Sequence, residues 1–128
     1  IRMAMSVFGG HGIMEDFSSL PRLFRDSAIN ELWEGPRNVL LTQIHRDFQR
    51  AGNWYGAEEF VEDVLAGADE KLVSDLGAEM RELVAWPSLF TMDEATMKVC
   101  GRWDAFCHRL FHAYQDCALH EVSSKSRA

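Results

Sequence analysis

The sequence predicts an all-α protein, a helical bundle, and three observations support this fold class. Apolar residues recur at spacings of three and four along the chain, which is the period of one face of a helix. Alternating apolar and polar runs, which are typical of half-buried strands, are absent. Only 3 prolines interrupt the 128 residues, and a hydrophobic content of 47% is enough to bury a core.

Glycine and proline mark the ends of the first helices. Residues 2–8 form a predicted helix that stops at Gly9-Gly10, and a loop follows as far as Ser19. Pro21 suits the first turn of a second helix, because the N–H groups of that turn have no partner within a helix. This second helix should end near Ile29.

Four further helices follow from the same signals. Pro36 occupies the first helical position of a segment that should end near Gly52. Residues 57–66 and 71–86 each place their apolar residues on one face. Thr91 and Glu94 have the spacing of a capping box, which opens a last helix of about thirty residues.

The chain divides by content near residue 52, into a motif-bearing part, residues 1–52, and a helical extension, residues 53–128. Residues 49–128 hold 8 Lys or Arg against 14 Asp or Glu, so this part accounts for −6 of the net charge of −7. Such acidity repels phosphate backbones and anionic lipid, and we expect neither a nucleic-acid nor a membrane partner.

The 3 cysteines lack paired spacing, which favours reduced thiols and a cytoplasmic location.

Two motifs lie at a fixed distance in the first part. Gly9-Gly10-His11-Gly12 is followed by Arg25-Asp26 and then by Leu32-Trp33-Glu34-Gly35. Their order and separation resemble the acyl-CoA dehydrogenase superfamily, over roughly residues 1–48. The run Leu20 to Asp26, with Asn38-Val39, is similar to the branch that contains the bacterial alkylation-response protein, whose members have an extra helical domain. The chain is therefore identified as a C-terminal fragment of such a protein.

The resemblance implies a flavin-dependent oxidoreductase that carries out α,β-dehydrogenation of acyl-CoA thioesters. Glu34 is implied as the catalytic base that removes the α-proton, and Trp33 as a residue beside the substrate. The cofactor is FAD, and the implied cofactor-binding residues are Gly9, Gly10, Gly12 and Gly35. Because the family uses this glycine loop against the flavin of a neighbouring subunit, the parent protein is implied to be a homo-oligomer.

The sequence departs from the family pattern at four positions. Ser6 and Asn38 stand where glutamine is usual, and Ile13 replaces an aromatic residue. Pro36 replaces threonine or serine, which removes a hydroxyl and a backbone donor. The N-terminal helical domain and middle β-domain that surround the flavin in the family are not among these residues. We therefore expect the fragment alone to be inactive and not to bind FAD, and whether the chain belongs to an enzyme stays open.

The alternative is a non-catalytic helical interaction or oligomerisation module in which the motif is a vestige, an interpretation that Pro36 and the acidic extension favour. A role in DNA protection is opposed by the charge of the extension.

A metal or nucleophile site in the extension is not expected. His108 and His112 are four residues apart, but no carboxylate or cysteine stands at a spacing that singles out a metal site, and we expect surface histidines and core cysteines. Cys107 and His108 are adjacent on a helix and point in different directions, which argues against a nucleophilic pair. The aromatic residues of the last helix are expected to form core: Trp103, Phe106, Phe111 and Tyr114.

Overall fold

The structure of the chain is a computed structural model that describes residues 1–33 and 35–125, with side chains described outside residues 30–33 and 125. The described residues form six α-helices and no strand, which confirms the all-α prediction. No helix within them is long and apolar enough to cross a membrane. The helices are α1 Arg2–Phe8, α2 Leu20–Trp33, α3 Arg37–Ala51, α4 Ala57–Val64, α5 Glu70–Val84 and α6 Glu94–Lys125, and a 3-10 turn, Gly9–Gly12, follows α1.

Contacts group the chain into two compact units, Ile1–Leu40 and Leu41–Ala128. The boundary between the two units falls within α3, so the last eleven residues of this helix, residues 41–51, belong to the second unit. Compactness does not by itself define a domain, and the division near residue 52 stays a prediction.

The ends of two helices differ from their prediction. Helix α2 continues to Trp33, beyond the expected end near Ile29. Helix α6 begins at Glu94, and the residue that caps it is Asp93 rather than Thr91. The backbone N–H of Thr96 donates to one Asp93 carboxylate oxygen at 2.9 Å, and the Thr96 hydroxyl donates to the other at 2.8 Å. The predicted capping box was wrong because a carboxylate stood one residue before the helix, where it reaches the third N–H of the first turn.

The core of the second unit is formed by α4, α5, α6 and the segment between α5 and α6. Its aromatic centre is Trp103 with Phe106, which stack with their ring centroids 5.5 Å apart. Phe111 and Tyr114 are about half exposed, at 56% and 49%, so only the first half of the predicted aromatic stripe is core. The three cysteines, Cys100, Cys107 and Cys117, are half-buried and pack against this core as expected. The buried apolar residues are Val61, Leu65, Leu76, Met80, Leu83, Leu89, Val99, Trp103 and Phe106.

Helix α3 is attached to the rest of the second unit by three side chains, here called the α3 clasp: His45, Gln49 and Trp103. His45 is 1% exposed, and its Nε2 donates to the Leu83 carbonyl oxygen at 3.0 Å. The proton is on Nε2 because a carbonyl oxygen only accepts. The edge of the His45 ring meets the Trp103 ring, with centroids 5.4 Å apart.

The other two members of the α3 clasp also donate to backbone carbonyls. Trp103 Nε1 donates to the Leu41 carbonyl oxygen at 2.8 Å. Gln49 Nε2 donates to the carbonyl oxygens of Val84 and Trp86, at 3.0 and 2.6 Å. The last carbonyls of a helix have no partner within it. The α3 clasp gives one to Val84 and adds a second to Leu83, which also accepts from the N–H of Trp86.

Replacing His45 by alanine should destabilise the protein by about 2–4 kcal/mol, because the substitution leaves a cavity beside Trp103 and removes a buried hydrogen bond. The free energy of unfolding is measured by urea titration with far-ultraviolet circular dichroism. His120→Ala is the control, since His120 is exposed on α6, and it should change stability by no more than about 0.5 kcal/mol. Equal stability of the two variants would contradict the role of His45.

The Asp93 cap predicts a dependence of stability on pH. Hydrogen bonds from the backbone and side chain of Thr96 lower the pKa of Asp93 below its ordinary value. A carboxyl whose pKa is lowered by folding stabilises the fold above its unfolded pKa, and this contribution is lost as the pH falls through the folded one. Asp93→Ala should therefore lower the melting temperature at neutral pH, with a smaller difference from wild type in acid. Asp93→Asn should retain most of the stability at neutral pH because asparagine also caps helices. An alanine variant that melts like the wild type at neutral pH would argue against the cap.

Candidate functional site

The glycine turn, Gly9–Gly12, follows directly from the end of α1. Gly9 has a φ of +55°, a left-handed conformation that side chains rarely adopt, and its N–H donates to the Ser6 carbonyl oxygen. A Cβ built on Gly9 or Gly10 would meet no atom within 4 Å. The backbone of these two residues is therefore open to close approach by another molecule.

Gly12 has a different reason to be glycine. It is buried, and a Cβ at this position would overlap the carbonyl oxygen of Met5 and lie 2.9 Å from its Cα. The missing side chain is thus what lets the glycine turn lie against the backbone of α1. The predicted role of Gly12 in cofactor binding stays a prediction. The structure shows that Gly12 also has a packing role against α1.

A cleft of about 370 Å³ lies beside the glycine turn within the first unit. The guanidinium carbon of Arg2 lies 5.7 Å from the centre of the Phe24 ring, within range of a cation–π contact. The cleft therefore presents one positive charge, an apolar wall and exposed glycine backbone. Its lining residues are Arg2, Met5, Ser6, Gly9, Ile13 and Phe24. Sequence reasoning gave no binding role to Arg2 or Phe24, because only the fold brings these two residues together.

Two contacts hold the loop between the glycine turn and α2. Arg25 of α2 forms an ion pair with Glu15 of the loop. The rings of His11 and Phe17 meet with centroids 4.4 Å apart. These contacts hold the loop beside the cleft, and they give Arg25 a structural part. Asp26, the other half of that motif, is exposed.

Glu34, the predicted catalytic base, lies outside the described residues, and so does the side chain of Trp33. Both assignments therefore stay predictions. In the chain, Glu34 comes between the end of α2 at Trp33 and the start of α3 at Arg37.

The residues after Glu34 have a defined backbone. Gly35 has a φ of +109°, which explains a glycine at this point without reference to a cofactor. The Pro36 carbonyl oxygen accepts from the N–H groups of Val39 and Leu40, at 2.9 and 3.2 Å. Pro36 is thus the cap residue of α3, one position before its predicted place, a difference within the usual scatter of helix boundaries.

The comparisons with known proteins bear on the first part of the chain. Residues 1–49 match the family model described as acyl-CoA dehydrogenase, C-terminal domain. These residues, here called the acyl-CoA dehydrogenase segment, are similar to that domain. The segment contains the glycine turn, its cleft and the Trp33-Glu34-Gly35 motif. The family match therefore confirms the resemblance that these residues indicated.

Two curated proteins are similar to the chain. The putative acyl-CoA dehydrogenase AidB of Escherichia coli (strain K12) is 39% identical over 61 residues, which is 46% of this chain and 11% of that protein. Acyl-CoA dehydrogenase family member 11 of Caenorhabditis elegans is 46% identical over 46 residues, 36% of this chain and 7% of that protein. The aligned part thus spans about a tenth of the length of these relatives. No solved structure matches the chain.

The acyl-CoA dehydrogenase segment allows a paired test of its glycines. Gly12→Ala should lower the free energy of unfolding by about 1–3 kcal/mol, because the added methyl group forces the turn away from Met5. Gly10→Ala should change it by no more than about 0.5 kcal/mol, since a Cβ there meets open space. Urea unfolding of the two variants measures the difference. If Gly12→Ala were as stable as Gly10→Ala, the packing of the turn on α1 would be refuted.

Proposed function

We propose that the full-length protein containing this chain is a flavin-dependent, acyl-CoA dehydrogenase-like oxidoreductase that introduces a double bond between the α- and β-carbons of an acyl-CoA thioester. The observation that carries the proposal is the family match over residues 1–49, which includes both the glycine turn and the Trp33-Glu34-Gly35 motif. The names of the two relatives support the same family.

In the proposed reaction the Glu34 carboxylate takes a proton from the α-carbon of the thioester. The electron pair of the broken C–H bond forms the new double bond to the β-carbon, which gives up its hydrogen as hydride. Bound FAD supplies the two-electron acceptor for that hydride. Glu34 ends protonated and must lose its proton before the next turnover. Exclusion of water around the carboxylate would raise its basicity, as this proton transfer needs.

The described residues fit a dinucleotide cofactor at one point. The Gly9-Gly10 backbone has open space where side chains would otherwise stand, and Arg2 in the adjacent cleft carries a charge opposite to that of a pyrophosphate. We infer that these residues hold part of FAD, and that a neighbouring subunit supplies the rest of its site in a homo-oligomer.

Exposed apolar side chains of the first unit support the inferred oligomer. Met3 and Val7 of α1 are 83% and 80% exposed, and α1 buries none of its residues. A surface of this kind favours cover by other parts of the parent or by a second subunit. The 3 free thiols support a reducing compartment, and we infer a cytoplasmic location.

The test uses the full-length protein and its Glu34→Gln variant. The wild type should purify with a flavin absorption spectrum, and addition of acyl-CoA without an electron acceptor should bleach it. Glu34→Gln should retain the flavin but bleach at least about 100-fold more slowly, because a general base typically contributes that much or more. Bleaching at the wild-type rate in Glu34→Gln would exclude Glu34 as the base.

The alternative is a helical interaction or oligomerisation module. The half-exposed aromatic residues Phe111 and Tyr114 on α6 favour this reading, since they leave apolar surface uncovered in the second unit. The same experiment separates the two functions, because a full-length protein that purifies without flavin and binds none on reconstitution would support the module.

A further inference from the structure

The exposed face of α6 carries a histidine pair, His108 and His112, that the acyl-CoA dehydrogenase segment does not include. Their spacing of four residues places the two rings on one face of the helix, one turn apart. The two Nε2 atoms lie 3.3 Å apart, while the ring centroids are 4.4 Å apart. The rings therefore converge on their Nε2 atoms.

This distance matches the separation of two nitrogen ligands on one metal ion. With a metal–nitrogen bond of about 2.05 Å and tetrahedral angles, two cis ligands lie about 3.3–3.4 Å apart. In a square-planar arrangement the corresponding separation is about 2.9 Å. Because both side chains are exposed, their rings can rotate to direct the two lone pairs at a common point.

The sequence alone predicts surface histidines and no metal site here, but the 3.3 Å separation of the two Nε2 atoms indicates one. We propose that His108 and His112 form a two-ligand site for a late first-row divalent cation, Zn²⁺, Ni²⁺ or Cu²⁺, on the exposed face of α6. Imidazole nitrogen is a preferred ligand of these ions, whereas Mg²⁺ and Ca²⁺ prefer oxygen. Without metal, one ring donates its Nε2–H to the Nε2 atom of the other. Binding of an ion requires the donor ring to hold its proton on Nδ1 instead, so that both Nε2 lone pairs face the ion. Water completes the coordination, because no group of three or more His, Cys, Asp or Glu side chains comes together in the described part of the chain.

The electrostatic surroundings of the histidine pair favour a cation. Arg109, the nearest basic residue in sequence, donates to both carboxylate oxygens of Glu79 at 2.6 Å, so that its charge is compensated. Asp104 and Asp116 continue the four-residue spacing on either side of the pair, and residues 49–128 carry a net charge of −6. A negative field raises the local concentration of divalent cations.

Calorimetric titration of the untagged protein with ZnCl₂, NiCl₂ and CuCl₂ tests the site. We expect one ion bound per chain, CuCl₂ to bind most tightly and MgCl₂ not to bind. His108→Ala and His112→Ala should each weaken binding at least about tenfold, since one of two protein ligands is lost. Binding of all three ions that is unchanged in both variants would overturn the proposal, and so would absence of binding by the wild type.

A matched control moves one histidine without changing their number. His112→Ala combined with Gln115→His places the second ring about 10 Å along the helix axis from His108, too far to share an ion. This variant should bind as weakly as His112→Ala, and wild-type affinity would overturn the proposal.

NMR of the wild type gives a readout that does not depend on the folding of variants. Zn²⁺ should shift the ring signals of His108 and His112 and not those of His45 or His120, and the reverse pattern would contradict the site.

Discussion

The structure of the second unit depends on the pairing of polar groups that α3 brings into its interior. A buried donor or acceptor without a partner costs about 1–3 kcal/mol, so each such group must find one. The three side chains of the α3 clasp each donate to backbone carbonyls. His45 donates to Leu83, Gln49 donates to Val84 and Trp86, and Trp103 donates to Leu41. Apolar burial alone would permit α3 to slide or rotate, whereas the directional hydrogen bonds that α3 donates and accepts fix its register.

The α3 clasp lies where the family match and the second compact unit overlap. The match to the acyl-CoA dehydrogenase family runs to residue 49, and the second compact unit begins at Leu41. Residues 41–49 therefore belong to both, and they include His45 and Gln49. The extension is built onto the last helix of the family segment, the helix that follows Glu34 and Gly35 in the chain.

Much of the fold followed from local signals in the sequence. Gly9 and Gly52 lie just beyond the ends of α1 and α3, and helical periodicity located α4 and α5. The α3 clasp could not be predicted, because its bonds join residues 35 to 62 positions apart and nothing local to His45 or Trp103 indicates the partner. The prediction that Thr91 caps α6 was wrong for a local reason. Thr91 and Asp93 both have capping side chains, and only the position of the first helical turn decides between them.

The candidate site was predictable as a set of motifs and less so as an arrangement. The sequence predicts one cofactor loop from Gly9, Gly10 and Gly12, but the structure shows that Gly9 and Gly10 face open space whereas Gly12 packs against Met5.

The most direct test is an experimental structure of the full-length protein with FAD and a non-reactive acyl-CoA analogue. If Glu34 is the catalytic base, one of its carboxylate oxygens should lie about 3–3.5 Å from the α-carbon of the thioester. A Glu34 side chain directed away from the bound thioester, with another base in contact with that carbon, would contradict it.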